Sequence, residues 1–178
     1  MSVPCVCRSR PKTVWAEALQ LAAETLPGGV DFAVWKGLRD IPPFDEDTVE
    51  TPSVAVAGLR SAVAGADAVL IATPEYNGSI PGTLKNALDW GSRPGATNAF
   101  RGQPVAVIGA SPGAFGGVWA HEETRKILGI MGARVVGAGF SLGKASDRLA
   151  APDNELLGQM QEVVETLVSE ATARTQTA

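Results

Sequence analysis

The chain has 178 residues, 45% of hydrophobic types and 19% charged, enough apolar content for one core and too much for a disordered chain. Its formal net charge of −4 argues against a general nucleic-acid binder, which needs cations to neutralise phosphates. Cys5 and Cys7 are the only cysteines and His121 the only histidine, so a disulfide framework and a structural zinc site of four Cys and His ligands are excluded.

Short apolar runs alternate with helical patterns along the chain. Val3 to Cys7 reads as a first strand. From Thr13, the residues Val14, Trp15, Ala18, Ala22 and Leu26 share one helical face, with Glu17, Gln20 and Glu24 opposite. Val30 to Trp35 is a second strand. The stretch from Lys36 to Pro52 is irregular and rich in proline and acid, and such long loops tend to serve function. Ser53 is placed to cap a helix that turns Val56, Leu59 and Val63 inward. Ala66 to Ala72 is the third strand, and Ser79 is expected to cap a helix carrying Ile80, Leu84, Ala87 and Leu88. Pro104 to Ala110 is the fourth strand, Val118 to Met131 a helix and Arg134 to Ala138 the fifth strand. Leu156 to Val168 forms the last helix, and the polar tail from Ala171 is expected to fray.

Continuous rather than alternating hydrophobicity suits strands buried on both faces of a parallel sheet. Right-handed crossovers then wind the chain into a three-layer α/β sandwich with helices on both faces. Five parallel strands favour the order 2-1-3-4-5. The expectation is a single domain over 1–178, with 171–178 as a frayed tail. Without an apolar run of about 18 residues no membrane span is expected. The start of the chain lacks the apolar centre of a secretory signal, so a cytoplasmic location is expected.

Ligands of open parallel sheets bind at the carboxyl ends of the strands. The segment after the third strand, Pro74-Glu75-Tyr76-Asn77-Gly78-Ser79-Ile80-Pro81-Gly82, combines stiffening prolines with glycines that admit a close ligand. Continued through Thr83-Leu84-Lys85-Asn86-Ala87-Leu88-Asp89-Trp90, it resembles the signature of the NADPH-dependent FMN reductase family, which includes quinone and chromate reductases of flavodoxin-like fold. That resemblance implies a flavodoxin-like sandwich, FMN as cofactor and NADPH or NADH as co-substrate. It implies that Pro74, Glu75, Tyr76, Asn77 and Gly78 cradle the flavin ring, largely through backbone groups. Ser111, Pro112 and Gly113, in the glycine-rich segment after the fourth strand, match the family loop that borders the other side of the ring. In the turn after the first strand, Ser9, Arg10 and Thr13 are the candidates for the FMN phosphate, although Cys7 and Arg8 stand where the family has Gly and Ser. The cofactor carries the hydride, so no catalytic side chain and no metal ligand is expected.

The resemblance further implies hydride transfer to a small-molecule electron acceptor: a quinone, a metal oxyanion, an azo compound or free flavin. It implies a homodimer or homotetramer, with no nucleic acid or membrane partner. Trp119 falls on the polar face of its helix, which suits a partner surface. His121 is expected as a packed or hydrogen-bonded residue, not a base. Two other readings stay open: an electron-transfer protein like flavodoxin, or a relative that has lost FMN and acts as an interaction module, for which the altered Cys7 to Lys12 turn speaks.

Overall fold

The computed structural model describes residues 2–6 and 13–177. Each strand of the sheet pairs parallel to its neighbours. The strands are β1 (Ser2–Val6), β2 (Asp31–Trp35), β3 (Val69–Thr73), β4 (Pro104–Ala110), β5 (Arg134–Val135) and β6 (Phe140–Leu142). The helices are α1 (Val14–Thr25), α2 (Val54–Ala64), α3 (Gly82–Gly91), α4 (Val118–Ile130), α5 (Ala145–Ala150) and α6 (Asn154–Thr177).

Along the main path the order is β2-β1-β3-β4-β5, and β6 also pairs with β4. Among the described residues the sheet therefore has six strands where five were expected. The run from Arg134 pairs at Arg134 and Val135, breaks, and resumes beside β4 at Phe140. Gly137 (φ 59°) and Gly139 (φ 61°) lie in the break, and such left-handed backbone cannot continue a ladder.

The two central strands are buried along their whole length, as their unbroken apolar runs require. Alternation splits their side chains between two cores. Leu70, Ala72, Ala106, Ile108 and Ala110 join α1 and α6 on one face. Val69, Ile71, Val105 and Val107 join α2, α3 and α4 on the other. β2 departs from the expected full burial: it lies at an edge, where Asp31, Ala33 and Val34 reach solvent.

Ser53 caps α2 as expected, its Oγ accepting the Val56 N–H at 3.4 Å. Ser79 does not cap α3; Pro81 holds that position, and proline at a helix entry wastes no donor. The expected fraying from Ala171 is not seen. α6 continues through Thr177, Ala171 is 1% exposed, and Arg174 donates to the buried Gln103 and to the Ala66 carbonyl. Among the described residues no helix is long and apolar enough to cross a membrane.

The long loop after β2 forms two short 3-10 turns, Gly37–Arg39 and Glu46–Thr48. Three side chains tie it down. Asn86 accepts the Phe44 N–H at 2.7 Å and donates to the Pro42 carbonyl at 2.8 Å. Trp90 Nε1 donates to the same carbonyl at 2.9 Å. Arg60 donates to the Val49 and Trp90 carbonyls.

Candidate active site

The carboxyl ends of β3, β4 and β6 carry the site loops. After β3 the chain makes a two-residue hairpin. Tyr76 and Ser79 exchange both backbone hydrogen bonds, at 3.0 and 3.1 Å. Asn77 (φ 54°) and Gly78 (φ 71°) fill the turn, the Asn-Gly pair that a turn with two left-handed residues selects. Tyr76, Asn77 and Gly78 are exposed. The amides of Asn77 and Gly78 have no partner among the described residues. A side-chain carbon built on Gly78 meets nothing within 4 Å.

The hairpin is clasped to α4. Glu75 Oε2 accepts the N–H groups of Trp119 (3.0 Å) and Ala120 (3.2 Å), two of the donors that a helix start leaves unpaired. One oxygen of its carboxylate is thus engaged by α4. Glu123, one turn along α4, accepts the Ser79 hydroxyl at 2.7 Å and the Ile80 N–H at 3.2 Å. The Ser79 and Ile80 hydrogen bonds hold the Glu123 carboxyl below its ordinary range.

The segment after β4 is shaped by close packing. Ser111 Oγ accepts the Gly113 N–H at 3.1 Å, tightening the turn around Pro112. The Ser111 backbone bonds to Leu142 and Ala145, and the Gly113 carbonyl accepts from Lys144 at 3.0 Å. The segment is therefore braced against the turn after β6. Gly109 and Gly116 lie at the crossing: a side-chain carbon on Gly116 would stand 2.6 Å from backbone atoms of Ser141, Leu142 and Gly143. These glycines are fixed by packing rather than by a ligand. Ser111 is half-buried, and Pro112 and Gly113 are exposed beside it.

Phe115 and Trp119 are 69% and 50% exposed, their ring centroids 5.3 Å apart. Trp119 thus reaches solvent as its helical position predicts. His121 is buried, with Nδ1 at 3.3 Å from Ser141 Oγ and no hydrogen-bond partner at Nε2 among the described residues. Burial first, then the Arg125 charge, push its pKa down to about 4, against the Val107 carbonyl, which favours the proton. His121 is neutral at pH 7, as a packing residue should be. The unfolded chain takes up this proton near pH 6.5 and the folded chain only near 4, so the stability His121 confers is complete above pH 6.5 and lost as pH falls toward 4. His121→Gln is expected to flatten the pH dependence of urea unfolding in that window; an unchanged slope rejects the assignment.

Of the phosphate candidates, Ser9 and Arg10 lie outside the described residues. Thr13 stands at the N-cap of α1, its carbonyl accepting from Ala16 (2.8 Å) and Glu17 (3.0 Å). Pro74 through Gly78 and Ser111 through Gly113 leave adjacent central strands, β3 and β4, at the same end of the sheet. Glu123 escaped the sequence reading because its partners Ser79 and Ile80 are far away along the chain.

This arrangement suits a flat heteroaromatic ring. The turn offers non-titrating backbone donors with open space beside Gly78, at the carboxyl end of the strands, where open α/β sheets bind ligands. Residues 6–147 match the family model described as NADPH-dependent FMN reductase.

The chain belongs to the NADPH-dependent FMN reductase family. Like other proteins of similar architecture, this family member has a flavodoxin-like α/β fold; a flavodoxin from Pseudomonas aeruginosa superposes with a TM-score of 0.57 at 20% identity over 94% of this chain and 99% of that one. FerB, a flavoenzyme NAD(P)H:(acceptor) oxidoreductase from Paracoccus denitrificans, superposes with a TM-score of 0.74 at 26% identity, covering 95% of this chain and 97% of that one. A quinone reductase of Pseudomonas putida is 47% identical over 92 residues, 51% of this chain and 50% of that protein. An NAD(P)H-dependent FMN reductase of Pseudomonas aeruginosa is 42% identical over 112 residues, 62% and 60% of the two chains. The matched part thus spans about half the length of the first of these curated relatives.

Proposed function

We propose that this member of the FMN reductase family is an FMN-dependent NAD(P)H oxidoreductase, transferring hydride from NAD(P)H through FMN to quinones, metal oxyanions, azo compounds or free flavin. The observation that carries this reading is the Asn77–Gly78 turn, whose two amides have no partner among the described residues and stand beside open space. Relatives described as quinone reductase and as 2-hydroxy-1,4-benzoquinone reductase support a quinone as the acceptor class.

The protein's part is to bind and orient. Tyr76, Asn77 and Gly78, with the backbone of Pro74 and Glu75, would hold one edge of the ring. Backbone donors keep the same charge at every pH, so they stabilise negative charge on a ring without competing for protons. Ser111, Pro112 and Gly113 would border the ring from the neighbouring strand. Ser9, Arg10 and Thr13 would hold the phosphate, by cationic and helix-entry contacts. A nicotinamide and an acceptor taking turns over one exposed face need only stacking and orientation, which supply much of the barrier reduction in such transfers.

We place the five-position order 2-1-3-4-5 within this reading, with β5 and β6 sharing the fifth position. The exposed Phe115–Trp119 pair favours a homodimer or homotetramer, because paired aromatics are enriched at protein interfaces. A content of two cysteines favours a reducing, cytoplasmic setting.

The test is anaerobic titration of FMN-loaded protein with NADPH and with NADH, followed at the flavin absorption. Stoichiometric bleaching by a nicotinamide, reversed by a quinone, is expected. Slow bleaching would favour a flavodoxin-like electron carrier. A colourless chain that FMN cannot reconstitute would favour the interaction module.

A further inference from the structure

The hairpin after β3 is fastened to α4 at both ends, by carboxylates from opposite partners. Glu75 reaches out of the loop to the start of α4, and Glu123 reaches back from α4 to Ser79 and Ile80. The outgoing arm depends on the second of these. The backbone of Ser79 is spent on Tyr76, and α3 begins at Gly82 without a capping side chain. The turn between the arms is the Asn77–Gly78 pair, whose left-handed conformation asparagine and glycine adopt readily, so what the arms fix is where the turn stands against α4. Glu123 is half-buried, so shortening it opens no large cavity. Lys126 and Lys85 lie near enough to favour its ionised form, which is the stronger acceptor.

We propose that Glu123 is a positioning residue: by accepting from Ser79 and Ile80 it holds the Asn77–Gly78 turn, with its two amide donors that have no partner among the described residues, in one place against α4, and so sets the affinity for flavin mononucleotide. The ligand named here rests on the flavin reading above; the holding of the turn does not.

The experiment uses the full chain and three variants, Glu123→Ala, Glu123→Gln and Ser79→Ala. Amide hydrogen exchange is followed in FMN-free protein, and FMN binding by quenching of flavin fluorescence. Glu123→Ala is expected to speed exchange at Ser79 and Ile80 by about tenfold, and to raise the FMN dissociation constant by a similar factor, as loss of hydrogen bonds to a charged group implies. Exchange along α4 beyond Glu123 stays as in the parent. Glu123→Gln keeps an acceptor oxygen and restores affinity to within about threefold of the parent. Ser79→Ala removes one of the two donors and falls between. Unchanged exchange in Glu123→Ala overturns the proposal, and so does faster exchange with unchanged FMN affinity. Failure of the parent chain itself to bind FMN overturns the flavin reading and the ligand named here, and is distinguished by the exchange data, which still decide whether Glu123 holds the turn.

Discussion

Gly116→Ala is expected to lower stability by about 3 kcal/mol or more, from the left-handed backbone together with overpacking. At this chain length that is roughly 10 °C in melting temperature. The glycine has φ 65°, and the new methyl would stand 2.6 Å from backbone atoms of Ser141, Leu142 and Gly143. Backbone cannot swing aside as a flexible side chain can, so the segment after β4 must lift off the turn after β6. The Ser111 backbone bonds to Leu142 and Ala145 across that contact, so the Ser111–Gly113 segment, proposed above to border the flavin, moves too. Loss of FMN binding is therefore expected together with the drop in melting temperature. Gly113→Ala is the control: its added carbon meets only Ser111 Oγ, at 3.5 Å, and its φ is not left-handed. Thermal unfolding of the two variants decides the matter. A Gly116→Ala protein melting within about 2 °C of the parent contradicts the packing argument.

Trp90→Ala is expected to cost about 4 kcal/mol, the usual loss for a large buried aromatic. Trp90 is 1% exposed, packs edge-on against Phe44 with ring centroids 5.0 Å apart, and lies under the Arg60 guanidinium at 5.8 Å. Its indole N–H also anchors the Pro42 carbonyl. Removing it takes away both the wall against which the long loop packs and one of that loop's tethers. Cleavage by a protease between Asp40 and Thr51 should therefore accelerate well before the sheet melts. Trp90→Phe keeps a ring and leaves Pro42 bonded to Asn86, so it should lose only about 1–2 kcal/mol. Equal losses in the two variants would show that the hydrogen bond, not the packing, holds the loop.

Much of the architecture is legible in local pattern. The unbroken runs ADAVLIA and PVAVIGA mark strands buried on both faces, and Ser53 marks the start of α2. The site loops after β3 and β4 are legible because glycine and proline cluster where a buried strand gives way to a helix. What stays hidden is long-range. Ser79 has the right residue type for a cap, yet its hydroxyl finds Glu123 on another helix, a partner that spacing along the chain cannot reveal. Glu75 likewise shows its bond to the start of α4 only once the two segments are seen side by side. The tail beyond Ala171 reads as polar and loose, but Arg174 meets the buried Gln103 from the middle of the chain. Asn86 and Trp90, within the stretch that carries the family resemblance, tie down the loop after β2. The interruption between β5 and β6 was written locally, in Gly137 and Gly139, but an apolar run beginning at Arg134 masked it.

That interruption bears on how the molecule behaves when crowded. An open sheet ends in unpaired peptide groups that can recruit another chain's strand. On the β4 side, any incoming strand would find a rung of two residues, then a kink, then a rung of three. Such a rim gives no continuous register on which a stack of molecules could zip, so self-templated growth would have to start from the opposite rim, at β2.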